Sequence, residues 1–326
     1  MEGRRSVGGV QRDREREREK EKERERRERR HSSHGHNSSA AVHAAKKQRI
    51  AENKQQDEDP FAVTPENVHK TQMIDADTDM ILRYFGCLLM RKAAGLLRLP
   101  ARTACTAQYY FHRFYDLHPL HKLDIALMAQ SCLYLACKAE ETLRKARDVI
   151  NSCYFLLQPQ QPMLKIGKKY WDLRDEVVAA EQILLRTLDF DLTFIHPHKF
   201  LLNYINSLNG SQALAQVSWN LTNDLYYTPL CMQRNHRPQV LACSSLYLAQ
   251  FILEQSNMEV PQSMQQFPWW EVFDAKKQDL EEVSSSLLDS LQTLQAIPYD
   301  TALMVYQEYA QKYSPPSPLQ LAKAAA

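Results

Sequence analysis

The chain has 326 residues, 44% of them hydrophobic, with only 8 Gly and 15 Pro and a net charge of +2. That is apolar material for two domains, and too few turn formers for an all-β fold. Seven scattered Cys, with no CxxC pair, exclude a zinc ribbon or a disulfide framework and point to a reducing, intracellular setting.

The N-terminus shows no apolar signal segment, and no stretch reaches the roughly 20 apolar residues that a membrane helix needs. The excess positive charge lies in the segment 1–74, and the remainder is slightly acidic. The folded part is therefore not a basic nucleic-acid binder by composition. Residues 12–30 alternate Arg or Lys with Glu or Asp and contain no apolar residue. Such a run cannot bury a core, so residues 1–74 are expected to form a disordered Arg/Glu-rich extension. It reads as a solvating tail or as a multivalent contact with mixed-charge nuclear proteins or RNA. His31, His34 and His36 offer no more than adventitious metal binding, and no metal site is expected. Lys46, Lys47 and Arg49 form a short basic cluster of the nuclear-import kind.

Order is expected from about residue 75. Asp77, Thr78 and Asp79 offer N-caps for a helix to residue 97, with Leu82, Phe85, Leu89 and Ala93 inward. Leu99-Pro100 breaks it, and a second helix follows over 101–116. A third spans 124–141. From Ile125 to Cys137 only Gln130 and Ser131 are polar, and a helix apolar all round is buried all round. It then ends in charge, at Lys138, Glu140 and Glu141. A fourth helix is expected over 143–154 and a fifth over 171–188.

The third helix recurs. Ala242 to Ala249 (ACSSLYLA) matches Ala129 to Ala136 (AQSCLYLA) at six of eight positions. Two tandem helical repeats are the economical reading. The second repeat would hold helices at 199–208, 212–227, 238–254, 269–273 and 277–294. The second copy ends Gln250-Phe251-Ile252-Leu253, without the charged tip. The fold is thus expected to be all-α: an extension over 1–74, repeats over 75–194 and 195–298, and a frayed tail over 299–326 with its Ser-Pro dipeptides.

No GxGxxG, P-loop, HExxH or GxSxG motif occurs. His112-Arg113 and His236-Arg237 lack the Asp of a kinase catalytic loop. His196 and His198 flank a Pro and read as packing or capping groups. An enzyme is disfavoured, no cofactor is expected, and binding or regulation remains.

Two five-helix units around a buried third helix resemble the cyclin fold. Leu135-Ala136-Cys137-Lys138-Ala139-Glu140-Glu141 resembles the end of the third cyclin-box helix, whose Lys contacts a kinase. The run from Glu181 to Leu192 (EQILLRTLDFDL) resembles the fifth, which supplies the partnering Glu. Within cyclins the chain is similar to the transcription-type members. Arg147 to Asn151, Trp171 to Asp175 (WDLRD), His196-Pro197-His198 and Pro268 to Phe273 (PWWEVF) resemble cyclin Q, also called cyclin M, most. The HPH motif is shared with cyclins L, K and T.

The resemblance implies a regulatory subunit, not an enzyme. It would bind and activate a cyclin-dependent kinase, in cyclin Q's case cyclin-dependent kinase ten, in the nucleus, in transcription or cell-cycle control. Lys138, Glu140, Glu141 and Glu181 would contact the kinase, with Leu185, Phe190 and Leu192 as an apolar seat. At the place of the Met-Arg-Ala-Ile-Leu docking patch of cell-cycle cyclins stands Leu82-Arg83-Tyr84-Phe85-Gly86, so docking of short Arg-x-Leu substrates is not expected. A transcription factor IIB-like core, which stacks two similar repeats but grips DNA, is the alternative class.

Overall fold

The computed structural model describes residues 75–232, 237–265, 267–313 and 315–320. The charged extension, its histidines, Lys46, Lys47 and Arg49, and His236 lie outside them. The described residues belong to one compact unit, Val63–Ala326, and are all-helical.

The first repeat contains α1 (Ala76–Leu96), α2 (Ala101–Leu117), α3 (Ile125–Ala139), α4 (Ala146–Leu157) and α5 (Lys168–Thr187). The cap of α1 is Asp75, whose carboxylate accepts the N–H groups of Asp77 and Thr78 at 3.3 and 3.2 Å. The caps expected at 77–79 are therefore already inside the helix. Arg98 in the left-handed region and the following Pro100 separate α1 from α2. Asp124 caps α3 by accepting the Leu127 N–H at 2.7 Å.

Between Ile125 and Cys137 every residue of α3 except Tyr134 is buried. The helix packs against α1, α2, α4 and α5. The Ser131 hydroxyl bonds back to Leu127 O at 3.0 Å and across to Val177 O of α5 at 3.1 Å, so the central polar residue is satisfied inside the core. The fourth helix begins at Ala146 rather than 143. The fifth begins at Lys168 rather than 171, directly after Gly167.

The second repeat contains α6 (Pro197–Ser207), α7 (Gln212–Asp224), α8 (Pro238–Gln255) and α9 (Lys277–Gln295). Between α7 and α8 run two 3₁₀ turns, Leu225–Tyr227 and Pro229–Met232. The helix expected to 227 therefore tightens after Asp224. The expected helix at 269–273 is likewise a 3₁₀ turn, Trp269–Phe273, anchored by fully buried Trp269, whose indole N–H donates to Gln250 Oε1 at 2.9 Å. Helix α8 is the counterpart of α3. It packs against α6, α7 and α9 and is buried from Val240 to Ala249 except at Tyr247. Tyr247 and Tyr134 occupy the same position of the two repeats.

The stretch 299–313, read from the sequence as tail, is a further helix, α10 (Tyr299–Tyr313), lying on α1. Ala302, Leu303 and Tyr309 are its buried side. Phe85 of α1 stacks on Tyr306 with centroids 4.6 Å apart and on Tyr299 at 6.0 Å. The Tyr306 hydroxyl donates to Asp124 Oδ2 at 2.8 Å, tying α10 to the cap of α3. A fully buried Phe such as Phe85 contributes about 2–3 kcal/mol of apolar burial. The sequence reading gave weight to the Ser-Pro dipeptides at 314–318 and missed the apolar side before them.

Candidate functional site

The site is built where α3 and α5 run side by side. Lys138, in the last turn of α3, places Nζ 2.8 Å from both carboxylate oxygens of Glu181 on α5. The Lys side chain is 43% exposed and that of Glu181 only 8%. The ammonium also lies 4.1 Å from the centroid of the Tyr134 ring, one turn earlier on α3. The result is a cation held at the surface by a buried acid and an aromatic face.

Past Lys138 the helix stops. Glu140 forms its C-cap, and Glu141 takes a left-handed φ of 55°. Glu141 is exposed. Glu140 is turned inward and 10% exposed. Its carboxylate accepts the Thr106 hydroxyl at 2.7 Å and Arg102 Nε at 2.6 Å, both from α2. Oε1 also lies 3.5 Å from His196 Nε2, at the start of the second repeat. His196 Nε2 is 2.9 Å from Thr106 Oγ1, and Nδ1 is 3.0 Å from the Tyr226 hydroxyl. Burial lowers the His196 pKa to about 4, against the smaller opposing pull of Glu140. The ring is therefore neutral near pH 7 and acts as a buried hydrogen-bonding spacer. His198 is also buried and bonds Asn223 Oδ1 at 3.1 Å.

The C-terminal end of α5 supplies apolar surface. Asp189 and Phe190 are both left-handed, with φ of 53° and 58°. The Phe190 N–H returns to Leu185 O at 2.9 Å, so the chain folds back on the last turn. This leaves Phe190 68% exposed and Leu185 half-buried. Leu192, also half-buried, is pinned through its carbonyl by the Tyr110 hydroxyl of α2 at 2.9 Å. Among the sequence-predicted residues, Lys138 and Glu181 meet directly, and Leu185 and Phe190 meet through the backbone. Glu140 faces the other way, into the junction between repeats.

Sequence reasoning missed two contributors. Tyr134 was counted only as core, although its spacing four residues before Lys138 puts it on the same helix face. Leu143 is 70% exposed two residues after Glu141, an apolar residue in a charged loop and so a signal that was present. Burial raises the thiols of Cys105 and Cys153 to about 12 and that of Cys137 to about 11, so these are packing groups and not nucleophiles.

The family model for the cyclin N-terminal domain matches residues 50–193, and that for the cyclin-T2-like C-terminal domain matches residues 196–290. The chain belongs to the cyclin family. This cyclin is 36% identical over 215 residues to cyclin-L1-1 of Arabidopsis thaliana, covering 64% of this chain and 50% of that protein. It is 33% identical over 220 residues to human cyclin-T2, covering 67% of this chain and 29% of that one. It thus spans at most about half the length of these relatives. Among solved structures, a chain of the yeast RNA polymerase II CTD kinase CTDK-1 complex shares the fold, with a TM-score of 0.56 and 17% identity over 79% of this chain and 84% of that one. The relatives are transcription-type cyclins.

Proposed function

We propose that this cyclin is the activating subunit of a cyclin-dependent protein kinase and that the Lys138–Glu181 corner is its kinase seat. A protein kinase works only when its β3 Lys is paired with a Glu on the mobile αC helix. A partner that binds the inward αC position more tightly than the outward one shifts the population toward the active state. No catalytic group is needed from the cyclin. The observation that carries the reading is the Lys138 ammonium, held 2.8 Å from a buried Glu181 yet 43% exposed.

In this reading Lys138 and Glu181 reach backbone groups beside αC, and Glu141 lies at the rim. Leu185, Phe190 and Leu192, joined by Leu143, form the apolar seat. Glu140 enters as a positioning residue, since its carboxylate is spent on Arg102, Thr106 and His196. The repeats over 75–194 and 195–298 act as one body, and the charged extension, with Lys46, Lys47 and Arg49, serves nuclear import or nuclear and RNA contacts.

Two readings of the kinase's identity follow. Trp171 to Asp175 and the PWWEVF run resemble cyclin Q, which implies cyclin-dependent kinase ten. The likeness to cyclins L and T supports a different kinase of the transcriptional group. Affinity purification of the tagged full chain, with mass spectrometry of the bound kinase, separates them. The expected result is one cyclin-dependent kinase, lost on Lys138→Ala and on Glu181→Ala while the cyclin stays folded. Undiminished kinase capture by both variants would overturn the site. Capture of no kinase, with binding of duplex DNA at low salt, would favour the transcription factor IIB-like class.

A further inference from the structure

The segment after α10 bears on α5 through a serine that the kinase seat does not use. The Ser317 hydroxyl donates to Glu176 Oε1 on α5 at 3.2 Å. It also accepts the Leu319 N–H at 3.3 Å, while the Ser317 N–H donates to the Gln320 side-chain oxygen at 3.2 Å. Pro318 is buried, Ser317 is half-buried and Gln320 is exposed. A single hydroxyl thus ends the segment's local turn and fastens it to α5.

We propose that Ser317 is a phosphorylation site for a proline-directed protein kinase, and that phosphate there detaches residues 315–320 from α5. The acceptor is followed directly by Pro318, the dipeptide that such kinases read. In the transfer, Ser317 Oγ attacks the γ-phosphorus of ATP. The Oγ–P bond forms as the bond from that phosphorus to the bridging oxygen of ADP breaks. ADP leaves, and the hydroxyl proton passes to the kinase's base and then to water.

The electrostatics decide the outcome. Unmodified, the hydroxyl donates a hydrogen bond to a carboxylate. A phosphoserine near pH 7 carries about −1.5 to −2 charges and offers only acceptor oxygens. It replaces the bond to Glu176 with like-charge repulsion. The helix neighbours of Glu176 three and four residues away are Asp172, Leu173, Ala179 and Ala180. That face of α5 holds a second acid, and its Lys169, two turns before Glu176, is engaged by the Tyr154 hydroxyl at 3.0 Å. Lys312, in the last turn of α10, has its ammonium 5.1 Å from the Tyr313 ring centroid. Glu176 lies five residues before Glu181 on the same helix. The proposal stands whichever kinase the cyclin binds.

The test treats the full chain with a recombinant proline-directed kinase, ATP and Mg²⁺, in a Thr64→Ala, Ser314→Ala background, which leaves Ser317 and the buried Thr228 as the Ser/Thr-Pro acceptors. Fragmentation mass spectrometry locates the phosphate, and hydrogen exchange reads residues 315–320. The expected result is one phosphate on Ser317 and exchange about five- to tenfold faster at Leu319 and Gln320, with the gain reduced in Glu176→Gln and no phosphate in Ser317→Ala. No phosphate on Ser317 in the intact chain, while a free peptide of the same sequence accepts it, would overturn the site. Unchanged or slower exchange in the phosphorylated chain would overturn the release.

Discussion

Replacing Lys138 with Met leaves the Glu181 carboxylate buried, with an 8% exposed side chain and no other hydrogen-bond partner among the described residues. Its two 2.8 Å charge-assisted bonds are lost together. An orphaned buried acceptor of this kind costs about 2–3 kcal/mol. The reciprocal change is much milder. In Glu181→Gln the ammonium keeps the Tyr134 ring and, being 43% exposed, turns to water, so the loss is about 0.5–1 kcal/mol. The two partners of one ion pair should therefore differ several-fold in their effect on stability. For an ordered region of this size, Lys138→Met should lower Tm by about 5–8 °C and Glu181→Gln by about 1–3 °C. The double variant should lie near Glu181→Gln alone, because an unpaired amide replaces an unpaired charge. Urea and thermal unfolding of the four chains checks this. Equal losses, or a double variant worse than Lys138→Met, would refute the argument that burial of Glu181 sets the asymmetry.

Stability should also fall on acidification. His112 and His196 have folded pKa values lowered from 6.5 to about 4 by burial. Between those values the unfolded chain binds more protons, so stability present above pH 6.5 is lost as pH falls toward 4. The loss is on the order of 2 kcal/mol per histidine by pH 5, read as a falling urea midpoint from pH 7 to 5. Asp124, whose carboxyl is raised by burial, opposes this as pH falls through its folded pKa. Gly86→Ala should cost about 1–3 kcal/mol, because a Cβ there meets the fully buried Phe111 ring; a melting curve shows it. Tyr306→Phe removes one of the bonds to the half-buried Asp124 carboxylate and should cost about 1–2 kcal/mol, with faster hydrogen exchange in α10.

The fold was legible where burial is uniform. A helix apolar from Ile125 to Cys137 cannot face water, and its copy at Ala242 to Ala249 fixed the number of repeats. The Lys138 and Glu181 pair came from resemblance, and geometry alone supplied their contrast in exposure. What escaped were features that depend on distant partners. Glu140 looks like the rest of a charged tip, and nothing local says that Arg102, Thr106 and His196 turn it inward. The pattern of α10 was weak beside the Ser-Pro signals after it, and its apolar side has meaning only against Phe85. Asp75 caps α1 in place of Asp77, Thr78 or Asp79, a shift of two residues at a helix end that local sequence does not resolve.

The pairing of α10 with α1 bears on how the chain is made. Phe85 finishes its packing only against Tyr299 and Tyr306, which lie beyond the whole second repeat in the chain. At a synthesis rate of about 5–20 residues per second, the completed first repeat waits on the order of ten seconds without those partners. It waits as well with Asp124 lacking its tyrosine. The second repeat and its final helix must emerge before the first is closed. Ribosome-bound chains stopped short of residue 299 should therefore hold a first repeat that is helical yet open along α1, and chaperones that grip apolar surface should find it there.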